Sequence, residues 1–365
     1  WLAPAVAQDA GQALASLYGV SMNIRLLVEQ ALPSAPMNQA AAACPILIYS
    51  HSEDGTRTDI TDKMEDLASH GYVVIGIDHG HVRISQFPDG TVVRGTDAYA
   101  AGMFTNDLAD VRFILDQLPA MNSSDTILAS HLDLEHIGTM GWSYGAGVAA
   151  EICRIDPRVK ASALLDGEVD LAPQLTQLGL QKPFLSIDGT VNSGNPGWLT
   201  GTTALFDKAS SDAYQFQIRG ADDLGFAFFP WLLSNSSARR DSFVMARCLR
   251  SFFNHYLKNQ DDDLFRAPTV ELPEILNFYS KSLAIVRQPL SQVVLLSSTV
   301  NFNVGAVSSR PMGYQWLADG IPLSGATNSS LVLTNVQPAN AGVYTVNVTD
   351  GIDQVASQPV TLVVH

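Results

Sequence analysis

Apolar residues fall along the chain in short runs separated by polar turns. Pro45-Ile46-Leu47-Ile48-Tyr49-Ser50 is unbroken, the pattern of a strand buried on both faces. A polar loop from His51 to Arg57 follows. Met64, Leu67 and Ala68 then fall at helical spacing, with Asp59 or Thr61 placed to cap the helix and Gly71 to end it at the C′ position. Tyr72-Val73-Val74-Ile75-Gly76-Ile77 reads as a second buried strand. Strand, helix and strand in that order predict a βαβ unit and a parallel sheet. Leu108, Val111, Ile114, Leu115 and Leu118 predict an amphipathic helix over residues 106–118. Further strands are predicted at 136–140, 159–165, 184–187 and 213–218, with helices over 146–152 and 245–257. The alternation predicts a doubly wound α/β domain with a mostly parallel sheet. Its polar residues gather just past strand ends, at Asp78-His79-Gly80-His81, Asp166-Gly167, Asp188-Gly189 and Arg219 to Asp223. Ahead of the first strand, Leu14, Leu17, Ile24, Leu27 and Val28 allow one or two helices within residues 1–40, either a flap over the site or surface packing.

The pattern changes after Arg287. Gln288-Pro289 reads as a linker start; beyond it lysine disappears and Ser, Thr, Asn and Val dominate. Residues 293–304 alternate. Tyr314-Gln315-Trp316-Leu317 predicts a strand with an inward tryptophan, Asp319-Gly320 a hairpin turn, and 331–333, 344–348 and 359–364 further short strands. The expected division is an α/β domain over 1–287 and a β-sandwich over 288–365. Tyr314-Gln315-Trp316, Ser324-Gly325-Ala326-Thr327, Leu331-Val332-Leu333-Thr334-Asn335-Val336 and Asn340-Ala341-Gly342-Val343-Tyr344 resemble the immunoglobulin-like domains of extracellular bacterial proteins. The resemblance covers nearly all of residues 289–365. It implies Trp316 as core tryptophan and Tyr344 as corner tyrosine. No cysteine lies in this stretch, so Trp316 is expected to be held by packing alone.

Composition narrows the function. With 365 residues the chain suits two domains, and 46% hydrophobic against 16% charged residues marks it as globular. A net charge of −15 argues against nucleic acid as partner, because phosphates would be repelled. No apolar run reaches membrane-span length. No basic segment followed by an apolar stretch opens the sequence, so any signal peptide is expected to lie outside it. Cys44, Cys153 and Cys248 give neither a disulfide framework nor metal spacing and read as buried thiols. No cofactor is expected.

The candidate chemistry centres on Gly141-Trp142-Ser143-Tyr144-Gly145, a G-x-S-x-G pattern between a short apolar run and an alanine-rich helix. That is the strand–turn–helix context of a nucleophile elbow, where the glycines allow close backbone approach. A serine nucleophile needs a base, a group that orients the base, and donors for the oxyanion. In chain order the acid follows the serine, and Asp166 stands one strand later. The backbone N–H of Tyr144 is the expected oxyanion donor, with a second from the loop after the first strand, Glu53 before Ser52. The base is missing from its expected place. No histidine lies between His136 and His255; His255 reads as a helix-surface residue, and His51, His79 and His81 precede the serine.

Residues 45 to about 257 resemble the platelet-activating-factor acetylhydrolase family of the α/β-hydrolases. The carrying segments are Pro45 to His51, Asp66 to Val74, the Gly141–Gly145 motif, Leu164-Leu165-Asp166-Gly167 and Gly220-Ala221-Asp222-Asp223-Leu224-Gly225-Phe226. The resemblance implies Ser143 as nucleophile, Asp166 as acid, and N–H groups at Glu53 and Tyr144 as oxyanion hole. It also puts the catalytic histidine three residues before a phenylalanine, where this chain carries Asp223. Ser52 stands where glycine is usual, and Trp142 where histidine is common. With a reference pKa of about 3.9, an aspartate at 223 is a weak base, and it is expected to face Asp166 with like charge. The expectation is an extracytoplasmic carboxylic ester hydrolase of short-acyl or phospholipid-type esters with a weakened base, unless a rim histidine such as His79 or His81 substitutes. Two other readings stay open. One is a secreted binding protein using the pocket and the β domain to hold a ligand, a surface or another protein. The other is a metal-dependent hydrolase gathering Asp54, Asp78, His79 and His81, which no H-x-x-x-H or C-x-x-C spacing supports.

Overall fold

A computed structural model describes residues 37, 43–53, 55–95, 100–191, 197–227, 236–260, 262, 264–266, 268–308, 311–351 and 353–365. The flap expected within 1–40, residue 37 apart, lies outside the described residues, as does Asp54. The chain forms two compact units. The second takes in 263–365 with residues 212–214, and so includes two strands that precede the change in composition at Arg287.

In the first unit the sheet runs β2-β1-β5-β6-β7-β8. Its strands are β1 (Cys44–Ser50), β2 (Val73–Ile77), β5 (Leu132–Trp142), β6 (Val159–Leu165), β7 (Phe184–Gly189) and β8 (Ala213–Ile218). A small antiparallel hairpin, β3 (Ser85–Gln86) with β4 (Val92–Val93), lies outside it. β1 pairs in parallel with both β2 and β5, and β5 and β7 each pair in parallel with β6, which establishes the expected parallel sheet. Every residue of β1 is buried, as its unbroken apolar run requires. β2 departs from expectation. It is the edge of this order and is only partly buried, because a local apolar run carries no information about its place in the sheet. β5 is longer than its apolar core: three residues slip between Pro45/Asp133 and Ile46/Ile137, and its earlier half is partly exposed.

The helices are α1 (Thr61–Ser69), α2 (Met103–Ser124), α3 (Tyr144–Ile155), α4 (Pro173–Leu178), α5 (Gly197–Lys208) and α6 (Ser236–Lys258). Neither expected residue caps α1. Ile60 is the N-cap without a side-chain bond, and Thr61 is already helical. Asp59 is instead buried against its own loop, accepting hydrogen bonds from the N–H and hydroxyl of Thr56, each at 3.0 Å. Gly71 does follow the helix with φ +83°, as its C′ role demands. α6 buries one stripe, Met245, Cys248, Leu249, Phe252, Phe253 and Leu257, at helical spacing. Gly138 on β5 leaves room for it. A methyl there would lie 2.9 Å from Phe253 and 3.1 Å from Leu257. The cysteines Cys44, Cys153 and Cys248 are all buried and in no disulfide, and burial pushes the Cys153 thiol up to about 12.

The second unit is all β beyond its short helical turns. β11 (Gln292–Val294), β19 (Val360–Val364), β17 (Gly342–Thr349), β14 (Gly313–Ala318) and β15 (Ile321–Pro322) follow one another in a sheet, and β12 (Val300–Asn303) pairs with β16 (Ser330–Leu333). β10 (Ala284–Arg287) pairs with β13 (Gly305–Val307). Trp316, Phe302, Val346 and Val348 form the core. Packing is not the tryptophan's whole support: its indole N–H donates to the carbonyl of Asn328 at 2.9 Å, because a buried indole needs an acceptor. The Tyr344 hydroxyl donates to the carbonyl of Asn340, four residues upstream, at 2.7 Å.

Candidate active site

Ser143 sits between the last residue of β5 and the first of α3 with φ 53° and ψ −120°. Such a conformation costs a non-glycine residue on the order of 1–3 kcal/mol and persists only where its surroundings enforce it. Here the two glycines allow the enforcing contacts. A methyl on Gly141 would drive into the carbonyl of Gly145, and one on Gly145 into the carbonyls of Ser50 and His51. The turn is tied on both sides to the segment that carries Asp166. Ser143 N–H donates to the Leu165 carbonyl at 2.9 Å, and the Ser143 carbonyl accepts from Glu168 N–H at 3.1 Å.

β5 and β6 pair with Trp142 opposite Leu165, so Ser143 and Asp166 are the next residues along two adjacent strands. Asp166 also has positive φ, 45°. Its N–H donates to the Ile187 carbonyl at 2.8 Å, and its carboxylate accepts from Gly189 N–H at 2.9 Å. Burial pushes this carboxyl above the usual range, the Gly189 amide pulls it back, and the Asp222 carboxylate adds to the rise. The like-charge neighbour resolved beside Asp166 is thus Asp222, one residue before the expected one. Asp223 opens the short helical turn Asp223–Phe226, with four residues between it and the end of β8, while its side chain lies outside the described residues. The loop that carries both reaches the Asp166 anchor: a methyl on Gly189 would sit 2.5 Å from the Ala221 carbonyl and 3.5 Å from the Asp222 Cα.

Asp188, next to that anchor, escaped the sequence reading. It is fully buried, near the hydroxyls of Ser186 and Thr202 and the amide of Gln215. Burial first, and then the Asp166 charge, push its carboxyl up to about 7. An unfolded aspartate titrates near 3.9. Between those two values the folded protein holds a proton that the unfolded chain has released, so stability falls as pH rises across this window. The loss amounts to on the order of 4 kcal/mol. Asp59, also raised to about 7, acts in the same direction. Denaturant titrations of Asp188→Asn between pH 4 and 8 are expected to show a shallower decline than the parent; parallel profiles would contradict the assignment.

Tyr144 opens α3, so its N–H lies at the positive end of a helix. Burial raises the Tyr144 phenol, and the Asp107, Glu168 and Glu53 carboxylates add to the rise. Glu53 is exposed in the turn after β1. The contact of Gly145 with Ser50 and His51 holds the start of that turn against the elbow.

The rim histidines converge on one another. His51 donates from Nδ1 to the Ser52 carbonyl at 2.7 Å and accepts the His79 N–H on Nε2 at 3.0 Å. Burial, followed by His79 and His81, holds it well below the usual histidine range. His79 lies between Ser50 Oγ and Asp110, each at 3.0 Å. His81 packs edge-on against Tyr144, and the Tyr144 hydroxyl donates to Asp107 at 2.9 Å. His51 and His79 therefore have both ring nitrogens engaged away from Ser143. Asp78 does not join them: it pairs with Arg57 and accepts from Ser85. The carboxylates that do, Asp107 and Asp110, come from α2. Asp107 carried a readable signal, since it occupies the buried stripe Asp107, Val111, Leu115 and Leu118, where a charge is out of place.

No protein-family model matches the chain. A probable 1-alkyl-2-acetylglycerophosphocholine esterase of Arthroderma benhamiae is 25% identical over 264 residues, 64% of this chain and 65% of that protein. The chain thus spans just under two thirds of that relative's length. A solved ferulic acid esterase from Streptomyces cinnamoneus superposes with a TM-score of 0.62 at 23% identity, covering 73% of this chain and 82% of that one. This likeness establishes the fold, and the mostly parallel sheet flanked by helices fits the α/β-hydrolase architecture.

Proposed function

We propose that this protein is a carboxylic ester hydrolase acting through an acyl-enzyme on Ser143. The carrying observation is the strained turn at Ser143, locked by two glycines beside an aspartate on the next strand. Ser143 Oγ adds to the ester carbonyl carbon. The oxyanion that forms takes the N–H groups of Tyr144 and Glu53, the alcohol leaves, and water then releases the acid. Asp166 is the orienting carboxylate, and Asp223 occupies the place of the base. An aspartate there takes the serine proton poorly at neutral pH, so turnover is slow. The names of the two similar proteins support an ester substrate, and short-acyl or phospholipid-type esters suit the resemblance of the sequence.

A fluorophosphonate probe tests this reading. Mass spectrometry is expected to find the label on Ser143, and Ser143→Ala to abolish it. The aspartate at 223 favours one other reading, a non-catalytic binding protein. An unlabelled Ser143 in folded protein would support that reading and sink the hydrolase. We also propose that the β unit is an immunoglobulin-like domain contacting a surface or another protein, and that the protein works outside the cytoplasm. The buried Trp316 and the Tyr344–Asn340 bond support the domain assignment. An experimental structure in which Trp316 does not lie between two stacked sheets would overturn it, and recovery from the host's cytosolic fraction would overturn the location.

A further inference from the structure

We propose that His79, Asp107 and Asp110 form a binding site for one divalent transition-metal ion of borderline hardness, in the range Mn2+ to Zn2+. Nδ1 of His79 and one carboxylate oxygen from each aspartate all lie within 4.8 Å of one another. The separations are 3.7 Å from His79 Nδ1 to Asp107 Oδ1 and 3.0 Å to Asp110 Oδ2. Donor atoms bound at about 2.0–2.2 Å around one ion stand roughly 3.3 Å apart, so the two separations from His79 need to change by only a few tenths of an ångström, and the half-exposed Asp110 side chain can turn to close the third.

The second observation is unsatisfied polarity. The side chains of His79 and Asp107 have no exposure. Asp107 Oδ1, which faces His79, has no hydrogen-bond partner among the described residues, and neither do the two ring nitrogens of His81. His81 is 1% exposed, and its Nε2 lies 3.3 Å from Asp107 Oδ2. Such groups are rarely left alone, because each costs on the order of 1–3 kcal/mol when buried unpaired. A dication would satisfy Oδ1 and balance the two carboxylates. The outer contacts already suit ligation. His79 Nε2–H donates to Ser50 Oγ in the tautomer that frees Nδ1 for the ion, and Tyr144 O–H holds Asp107 by its other oxygen. The Asp110 side chain is 46% exposed, which gives the ion an entrance and leaves room for water as further ligands. One imidazole with two carboxylates selects neither a soft ion such as Cu(I) nor the all-oxygen shell of Ca2+.

The test uses the full chain after treatment with a chelator. Calorimetric titration with ZnCl2 is expected to give one site of micromolar affinity or tighter, Co2+ to give a visible absorption band, and Zn2+ to raise the melting temperature. Asp107→Asn is expected to abolish all three. Because that buried substitution can itself impair folding, Asp110→Asn is the deciding variant. Its carboxylate is half exposed, and the protein is expected to fold as the parent does while binding Zn2+ at least tenfold more weakly. Absence of binding to the folded parent at millimolar Zn2+, or equal binding by parent and Asp110→Asn, would overturn the site.

Discussion

Asp223→His raises kcat toward p-nitrophenyl acetate by about 10²- to 10⁴-fold, the usual worth of a positioned general base. A carboxylate that titrates near 3.9 gives proton transfer from serine little driving force, whereas an imidazole near 6.5 is matched to neutral pH. The proposed orienting carboxylate is held where it can meet the new imidazole. Asp166 is fixed by its N–H on Ile187 and its carboxylate on the Gly189 amide, and the loop carrying residue 223 abuts that same glycine. The new base also imprints its own titration. The rate of the variant is expected to rise with pH through the imidazole range, and the gain to vanish in the Ser143→Ala/Asp223→His double substitution. A variant no faster than the parent would show that position 223 is not where the base belongs.

Gly145→Ala is expected to lower stability by about 2–4 kcal/mol and, in the Asp223→His background, to remove the regained activity. The added methyl meets two backbone carbonyls, Ser50 and His51, rather than a side chain that can turn aside. Either the elbow or the end of β1 must move. At about 2–4 °C per kcal/mol for a unit of this size, the melting temperature falls by roughly 10 °C. Calorimetry together with ester kinetics measures both effects. An unchanged melting temperature with undiminished hydrolysis would mean that the turn is not held by this contact.

Local pattern revealed what local forces decide. The unbroken run of β1, the strand β6 and the glycine-flanked Ser143 were all readable because burial and tight turning leave a residue-level mark. Nonlocal order left none. The placement of β2 at the edge of its sheet depends on where β1 and β5 lie, not on the residues of β2. Asp59 read as a helix cap because its spacing allowed it, yet the loop after β1 folds its carboxylate inward against Thr56. The same holds for the site. Chain order anticipated that Ser143 and Asp166 stand side by side past the ends of β5 and β6, whereas Asp188 acquires its raised titration only from burial and from Asp166. The histidines meet α2 only after the sheet has brought the end of β2 beside it, and the one warning was an aspartate in the apolar stripe at 107.

The three cysteines give the molecule a practical property. All are buried, and a thiol with its titration pushed up to about 12, as at Cys153, has almost no reactive anion at neutral pH. Maleimide dyes should therefore leave the native protein unmodified. A cysteine engineered into a solvent-facing position, such as Leu290→Cys, then becomes a single attachment point for a fluorophore or spin label, with no need to remove the natural thiols first.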